Sequence, residues 1–162
     1  VGVTGSGLPR PVHEVRDDEL MRRALAVAAS TPDGDVPVGA VVLAPDGREL
    51  ARATNRRDID ADPTAHAEVL ALRAAATVLG DAWRLEDCTL VVTLEPCAMC
   101  AGAAVGARVG RILFGAYEPR TGACGSVVDV ARESPLHTVA VRGGVMTEEC
   151  EELVRGFFRE RR

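Results

Sequence analysis

Short apolar, β-branched runs alternate along this chain with longer Ala- and Leu-rich stretches of helical spacing, a pattern that restricts it to layered α/β folds. Over residues 17–29, Leu20, Met21, Ala24, Leu25, Val27 and Ala28 recur at helical spacing behind Asp17, Asp18 and Glu19, acids that favour a helix N-terminus. The Pro32-Asp33-Gly34 turn precedes an apolar strand over 36–43. Pro45-Asp46-Gly47 closes it, and 49–54 reads as the returning strand of a hairpin. A polar loop over 55–63 leads to a helix over 65–79 that stops at Gly80. Strands over 88–94 and 111–114 flank a small-residue helix over 98–107, and 118–125 is a Gly-containing loop. A last strand is expected over 136–141 and a last helix over 147–162, acidic at its start and basic at its end. The 162 residues suffice for one domain. Residues 1–13 read as a flexible tail and 14–162 as that domain.

Aromatic residues are only 3% of the chain, so its core must be built from Ala, Val and Leu. The formal charge of -5, carried against 19 Arg and no Lys, argues against a generally basic nucleic-acid coat. It leaves room for local patches at Arg56-Arg57, at Arg120, and at Arg155, Arg159, Arg161 and Arg162. Arg suits such patches because its planar group stacks on bases and grips phosphates at two points. No apolar run approaches the roughly 18 residues of a membrane span, and the first residues lack the basic-then-apolar pattern of a secretory signal. A cytoplasmic protein that binds no membrane is the expectation. Five Cys fit a metal or redox site better than a disulfide framework.

Two motifs carry chemistry, His66-Ala67-Glu68 and Pro96-Cys97-Ala98-Met99-Cys100, each at the start of an expected helix. Cys97 and Cys100 are three apart, so both sulfurs project to one side of a first turn, where thiolate is favoured over thiol. His66 supplies a third donor from another helix. A His/Cys/Cys set suits tetrahedral zinc with its fourth position left for water, whereas a closed structural site takes four protein ligands. Such a site makes hydroxide available near neutral pH. Glu68 is then the natural proton shuttle. Residues two apart on an ideal helix point roughly 200° from one another, so His66 and Glu68 converge only if the metal lies beyond the helix end. A C-x-x-C alone is equally a structural zinc knuckle or a redox pair; joined to the upstream H-x-E it forms the signature of nucleobase zinc deaminases.

Pro63-Thr-Ala-His66-Ala-Glu68, Thr93-Leu-Glu-Pro96-Cys97-Ala-Met-Cys100-Ala-Gly-Ala, Phe114-Gly-Ala, Thr121-Gly-Ala-Cys-Gly-Ser126 and Phe157-Phe-Arg-Glu-Arg-Arg162 together resemble the bacterial tRNA-specific adenosine deaminases of the cytidine deaminase-like superfamily. The match runs from about Asp17 to Arg162. The resemblance implies a three-layer α/β/α domain with a five-stranded mixed sheet, commonly a homodimer gripping one RNA stem-loop. It implies hydrolytic deamination of the wobble adenosine of a tRNA anticodon to inosine, with release of ammonia. His66, Cys97 and Cys100 would hold one Zn2+ per subunit, Glu68 would move protons, and Asn55, Ala67, Arg120, Phe158 and Arg159 would contact substrate.

The chain departs from the family at Tyr117-Glu118-Pro119-Arg120, where Asp and Lys are common, and at Cys124, where Ala is usual. Cys88, Cys124 and Cys150 read as small buried residues and Trp83 as packing between helix and strand. Asn55, the only Asn, reads from the residues alone as a turn former. Two other functions compete: deamination of a free base such as guanine or cytosine, and a noncatalytic zinc-stabilised RNA-binding module. The second leaves Glu68 without a purpose.

Overall fold

In the computed structural model, which describes residues 10–162, the apolar runs assemble into one sheet. Its strands are β1 (Gly39–Leu43), β2 (Glu49–Thr54), β3 (Thr89–Leu94), β4 (Arg111–Ala116) and β5 (Ala140–Arg142), in the order β2-β1-β3-β4-β5. The pairs β2-β1 and β1-β3 are antiparallel, and β3-β4 and β4-β5 are parallel. Between and around them lie α1 (Val12–Ala28), α2 (Ala67–Leu79), α3 (Ala98–Gly106), α4 (Val130–Glu133) and α5 (Thr147–Arg159).

Alternation along the strands divides the core in two. Val42, Leu90, Val92, Ile112 and Phe114 face Ala71, Leu72 and Ala75 of α2 and Ala101, Ala104 and Val105 of α3. Their neighbours Val41, Leu43, Val91 and Leu113 face Met21, Ala24 and Val27 of α1 and Cys150 of α5. The expected three-layer α/β/α arrangement is therefore present, and its helices meet the sheet largely through Ala. Small side chains allow close approach. A Cβ on Gly39 would collide with the Ala24 carbonyl oxygen and the Ala28 backbone nitrogen, so α1 lies almost on β1. Asp17, buried on α1, accepts hydrogen bonds from Arg111 on β4 (2.7 Å) and from Arg142 on β5, which locks the helix across the parallel strands.

Several boundaries differ from the sequence-based expectation. The first helix starts at Val12, inside the stretch assigned to the tail; residues 1–9 of that tail lie outside the described residues. Val12 is 76% exposed and is followed by His13 and Glu14, so no apolar period marks the helix's first turn. The last strand is only Ala140–Arg142, because His137 Nε2 is held by the Val109 carbonyl (2.8 Å) and Val139 N–H donates to Ala131 before pairing begins. The short α4 was not anticipated; Asp129 starts it by accepting from Arg132 N–H. Trp83 does not pack between helix and strand. It is half-exposed, with the Arg84 and Arg108 guanidinium groups 5.3 and 5.5 Å from its ring. Cys88, Cys124 and Cys150 are buried, as expected.

Candidate active site

Strand β3 ends at Leu94 and turns through Glu95 and Pro96 into α3, while the loop after β2 turns into α2. Both helix N-termini therefore open at the carboxyl edge of the parallel strands, where α/β sheets place their ligands. His66 is the N-cap of α2 and Cys97 the N-cap of α3, each with extended backbone (φ -74°, ψ 150° and φ -74°, ψ 177°). Neither side chain caps its helix. That position prefers Ser, Thr, Asp or Asn, whose cap contributes about 0.5–2 kcal/mol. Here both side chains turn instead towards Cys100.

His66 Nδ1 lies 3.7 Å from Cys97 Sγ and 3.5 Å from Cys100 Sγ, and the donor atoms of the trio are all within 4.8 Å of one another. Zinc bonds of about 2.3 Å to sulfur and about 2.05 Å to nitrogen, at a tetrahedral angle, separate N and S by about 3.6 Å. The trio fits that spacing. Hydrogen bonds from Cys100 and His66 push the Cys97 thiol down to about 3, while Cys100, donating to it, is pushed up. The contact with Cys97 raises His66. A cation held here takes both sulfurs as thiolates and displaces their protons.

The 200° separation of residues two apart on a helix does not apply to His66 and Glu68, because His66 stands before the helix. Both line one cavity of about 230 Å³. This is smaller than the usual 300–1,000 Å³ of drug-sized pockets and suits a single planar ring system. Glu68 is buried, and that burial pushes its carboxyl above the ordinary carboxylate range. Val36, Val38 and Leu94 supply apolar wall, and Val154 and Phe158 reach in from α5.

Of the expected substrate contacts, Asn55, Ala67 and Phe158 line this cavity; Arg120 and Arg159 do not. Arg120 is exposed, its backbone N–H donating to the Glu118 carboxylate (2.8 Å). Arg159 is paired with Glu152 on its own helix. Asn55 is more than a turn former: Nδ2 donates to the Val36 carbonyl (3.1 Å) and Oδ1 accepts from Arg57 N–H (3.2 Å). One amide hydrogen and one lone pair remain. Among the Arg patches, Arg57 alone lines the cavity, whereas Arg56 makes a two-point pair with Asp60 at 2.9 Å.

Sequence reasoning missed Glu95 and Asp35. Asp35, buried, accepts from Asp58 and Ile59 N–H (2.8 and 3.1 Å) and pins the loop after β2. Glu95 pins the loop after β4. Burial acts to raise its carboxyl, yet hydrogen bonds from Ser126, Glu118 and Cys124 hold it below the ordinary range. A charged residue closing an apolar strand beside Pro96-Cys97 was the available signal.

A mixed α/β/α sheet with a His/Cys/Cys cluster at paired helix N-termini and an unligated buried Glu beside it defines the zinc-dependent deaminase class. The family model for the cytidine and deoxycytidylate deaminase zinc-binding region matches residues 14–116. The chain is 42% identical over 149 residues to the tRNA-specific adenosine deaminase of Bacillus subtilis, covering 91% of this chain and 91% of that one. It is 48% identical over 146 residues to the tRNA(Ile)-lysidine synthase of Deinococcus deserti, covering 90% of this chain but spanning only 27% of that protein. A solved structure from work on A-to-I editing by tRNA:A34 deaminases at the wobble position superposes with a TM-score of 0.77 at 40% identity. That match covers 83% of this chain and 98% of the other. The chain belongs to the tRNA-specific adenosine deaminases.

Proposed function

We propose that this chain hydrolyses the wobble adenosine of a tRNA anticodon to inosine and ammonia, with one Zn2+ per subunit held by His66, Cys97 and Cys100. The observation that carries the reading is Glu68, a buried carboxyl that belongs to no cap or ion pair among the described residues and lines the same small cavity as the metal donors. Bound zinc supplies hydroxide at neutral pH. Glu68, whose affinity for a proton burial raises, would accept one proton of the attacking water and pass it to N1 of the base, then relay the proton of the new C6 hydroxyl to the departing amine, which leaves as ammonia. Asn55 offers its free amide hydrogen and lone pair to the base, Ala67 and Phe158 flank the ring, and the apolar wall excludes bulk water. An anticodon loop lowers the cost of presenting the base, since unstacking costs only a few kcal/mol and least in single strands.

Arg120 and Arg159 would reach RNA beyond the target base, Arg159 by exchanging Glu152 for a phosphate. The domain, which begins with α1 at Val12, would act as a homodimer in the cytoplasm. No described helix is long and apolar enough to cross a membrane. The test is to incubate the zinc-loaded protein with an anticodon stem-loop carrying wobble adenosine, and separately with guanine, cytosine and adenosine. Inosine in the RNA without free-base turnover is the expected result; turnover of a free base alone would refute it.

A further inference from the structure

The loop over 118–126 forms one wall of the cavity, to which it contributes Glu118 and Thr121. Ala123 N–H donates to the Pro96 carbonyl (2.8 Å) and Arg132 donates to the Cys124 carbonyl (3.0 Å), but one carboxylate reaches both ends of the loop. Glu95, 2% exposed, sits between β3 and the N-cap of α3. Its Oε1 accepts from the N–H groups of Cys124 (3.1 Å) and Ser126 (3.0 Å). Its Oε2 accepts from Glu118 N–H (3.0 Å) and from the Ser126 hydroxyl. An ionised carboxylate offers about four acceptor positions, so none is left for a ligand. The same residue is tied to β4, since Glu95 N–H donates to the Ala116 carbonyl (2.8 Å). The loop fits tightly over the carboxylate. A Cβ on Gly122 would collide with the Glu95 carboxylate and the Glu118 carbonyl, which explains why Thr121 is followed by Gly.

We propose that Glu95, which borders the cavity but has both carboxylate oxygens committed to the loop, is a positioning residue for the deamination: it holds Glu118 and Thr121 against the mouth through which RNA reaches the cavity. The inference rests on the proposed function. Both ends of the loop converge on one carboxylate, so loss of that group loosens the wall at Glu118 and at Cys124–Ser126 together, while the Ala123 N–H bond to Pro96 keeps its middle attached. His66 and Cys100 are carried by α2 and α3, whereas Cys97 also bridges to Gly122 of the loop, so retained zinc content checks that this segment stays in place.

Glu95→Gln tests this with little change of shape. The amide oxygen can still accept from Cys124 and Ser126 N–H, and the amide nitrogen can donate to the Ser126 hydroxyl. Only Glu118 N–H is left facing another N–H. An unsatisfied backbone group of this kind corresponds to roughly a tenfold effect. KM for the stem-loop should therefore rise about tenfold, with kcat changed less and zinc content retained. Hydrogen exchange should accelerate within 118–126 and not in α2 or α3. Ser126→Ala, which removes one hydroxyl donor and no backbone bond, should raise KM less, and it carries the test if Glu95→Gln fails to fold. Faster exchange with unchanged KM would overturn the proposal, as would a fall in kcat at unchanged KM, which would place Glu95 at the reacting atoms. Failure of the wild-type protein to make inosine would instead overturn the proposed function, while the exchange measurement would still decide whether Glu95 anchors the loop.

Discussion

Replacing Glu68 by Gln should move activity and stability in opposite directions. The change keeps the side-chain volume and removes the titrating oxygen. A positioned acid–base group contributes about 10²–10⁴-fold, or roughly 2.7–5.5 kcal/mol at 1.36 kcal/mol per decade. The upper end applies here because no neighbour can take over. Glu95 is saturated by its own loop, Glu118 already accepts from Arg120 N–H, and His66 faces the two sulfurs. Stability of the metal-free protein should respond the other way. Burial raises the folded-state pKa of Glu68 above 4.5, so folding is unpenalised while both states are protonated. As pH rises past that value, the unfolded chain loses its proton first and stability falls until the folded carboxyl also ionises. Glu68→Gln removes this slope. Single-turnover deamination and thermal melts of the metal-free variant between pH 4 and 8 measure both effects. Less than a tenfold loss of activity at full zinc content would refute the proton-transfer role; an unchanged pH dependence of melting would refute the burial argument.

Asp17→Asn should destabilise the fold, because one carboxylate joins Arg111 and Arg142 beneath α1. Losing one partner of a buried pair costs about 3–5 kcal/mol, and water at the partly exposed Arg groups reduces that to about 2–3 kcal/mol. A melting point lower by roughly 5–10 °C is expected at about 2–4 °C per kcal/mol, and no shift would show that the triad contributes nothing. Cys97→Ala should lose the metal, and elemental analysis at full occupancy would contradict its assignment as a ligand. Gly39→Ala should cost about 1–3 kcal/mol by forcing α1 off β1, read as a lower denaturant midpoint at unchanged slope.

The layered fold was legible because strand alternation and helical spacing are local properties. Val41 and Val42 point to opposite faces whatever surrounds them. The cluster of His66, Cys97 and Cys100 was legible because zinc chemistry demands given residue types near given helix starts. How His66 and Glu68 share one cavity was not, since it depends on His66 standing one residue outside α2. The rest of the pocket was hidden for a related reason. Val36, Leu94 and Val154 are ordinary apolar residues until the sheet and α5 bring them together. The Arg patches illustrate the opposite error. Arg56 and Arg159 look free in sequence, but Asp60 and Glu152 lie within reach once the backbone folds, and Arg57 remains at the cavity.

Hydrolysis at C6 is followed through the oxygen atom it installs. Zinc-loaded protein is incubated with an anticodon stem-loop bearing one wobble adenosine in isotopically labelled water, and the RNA is digested to nucleosides for mass analysis. Inosine is expected at the wobble position alone, carrying one labelled oxygen from solvent, with one ammonia released per inosine. Unchanged adenosine in the presence of bound zinc would contradict this expectation.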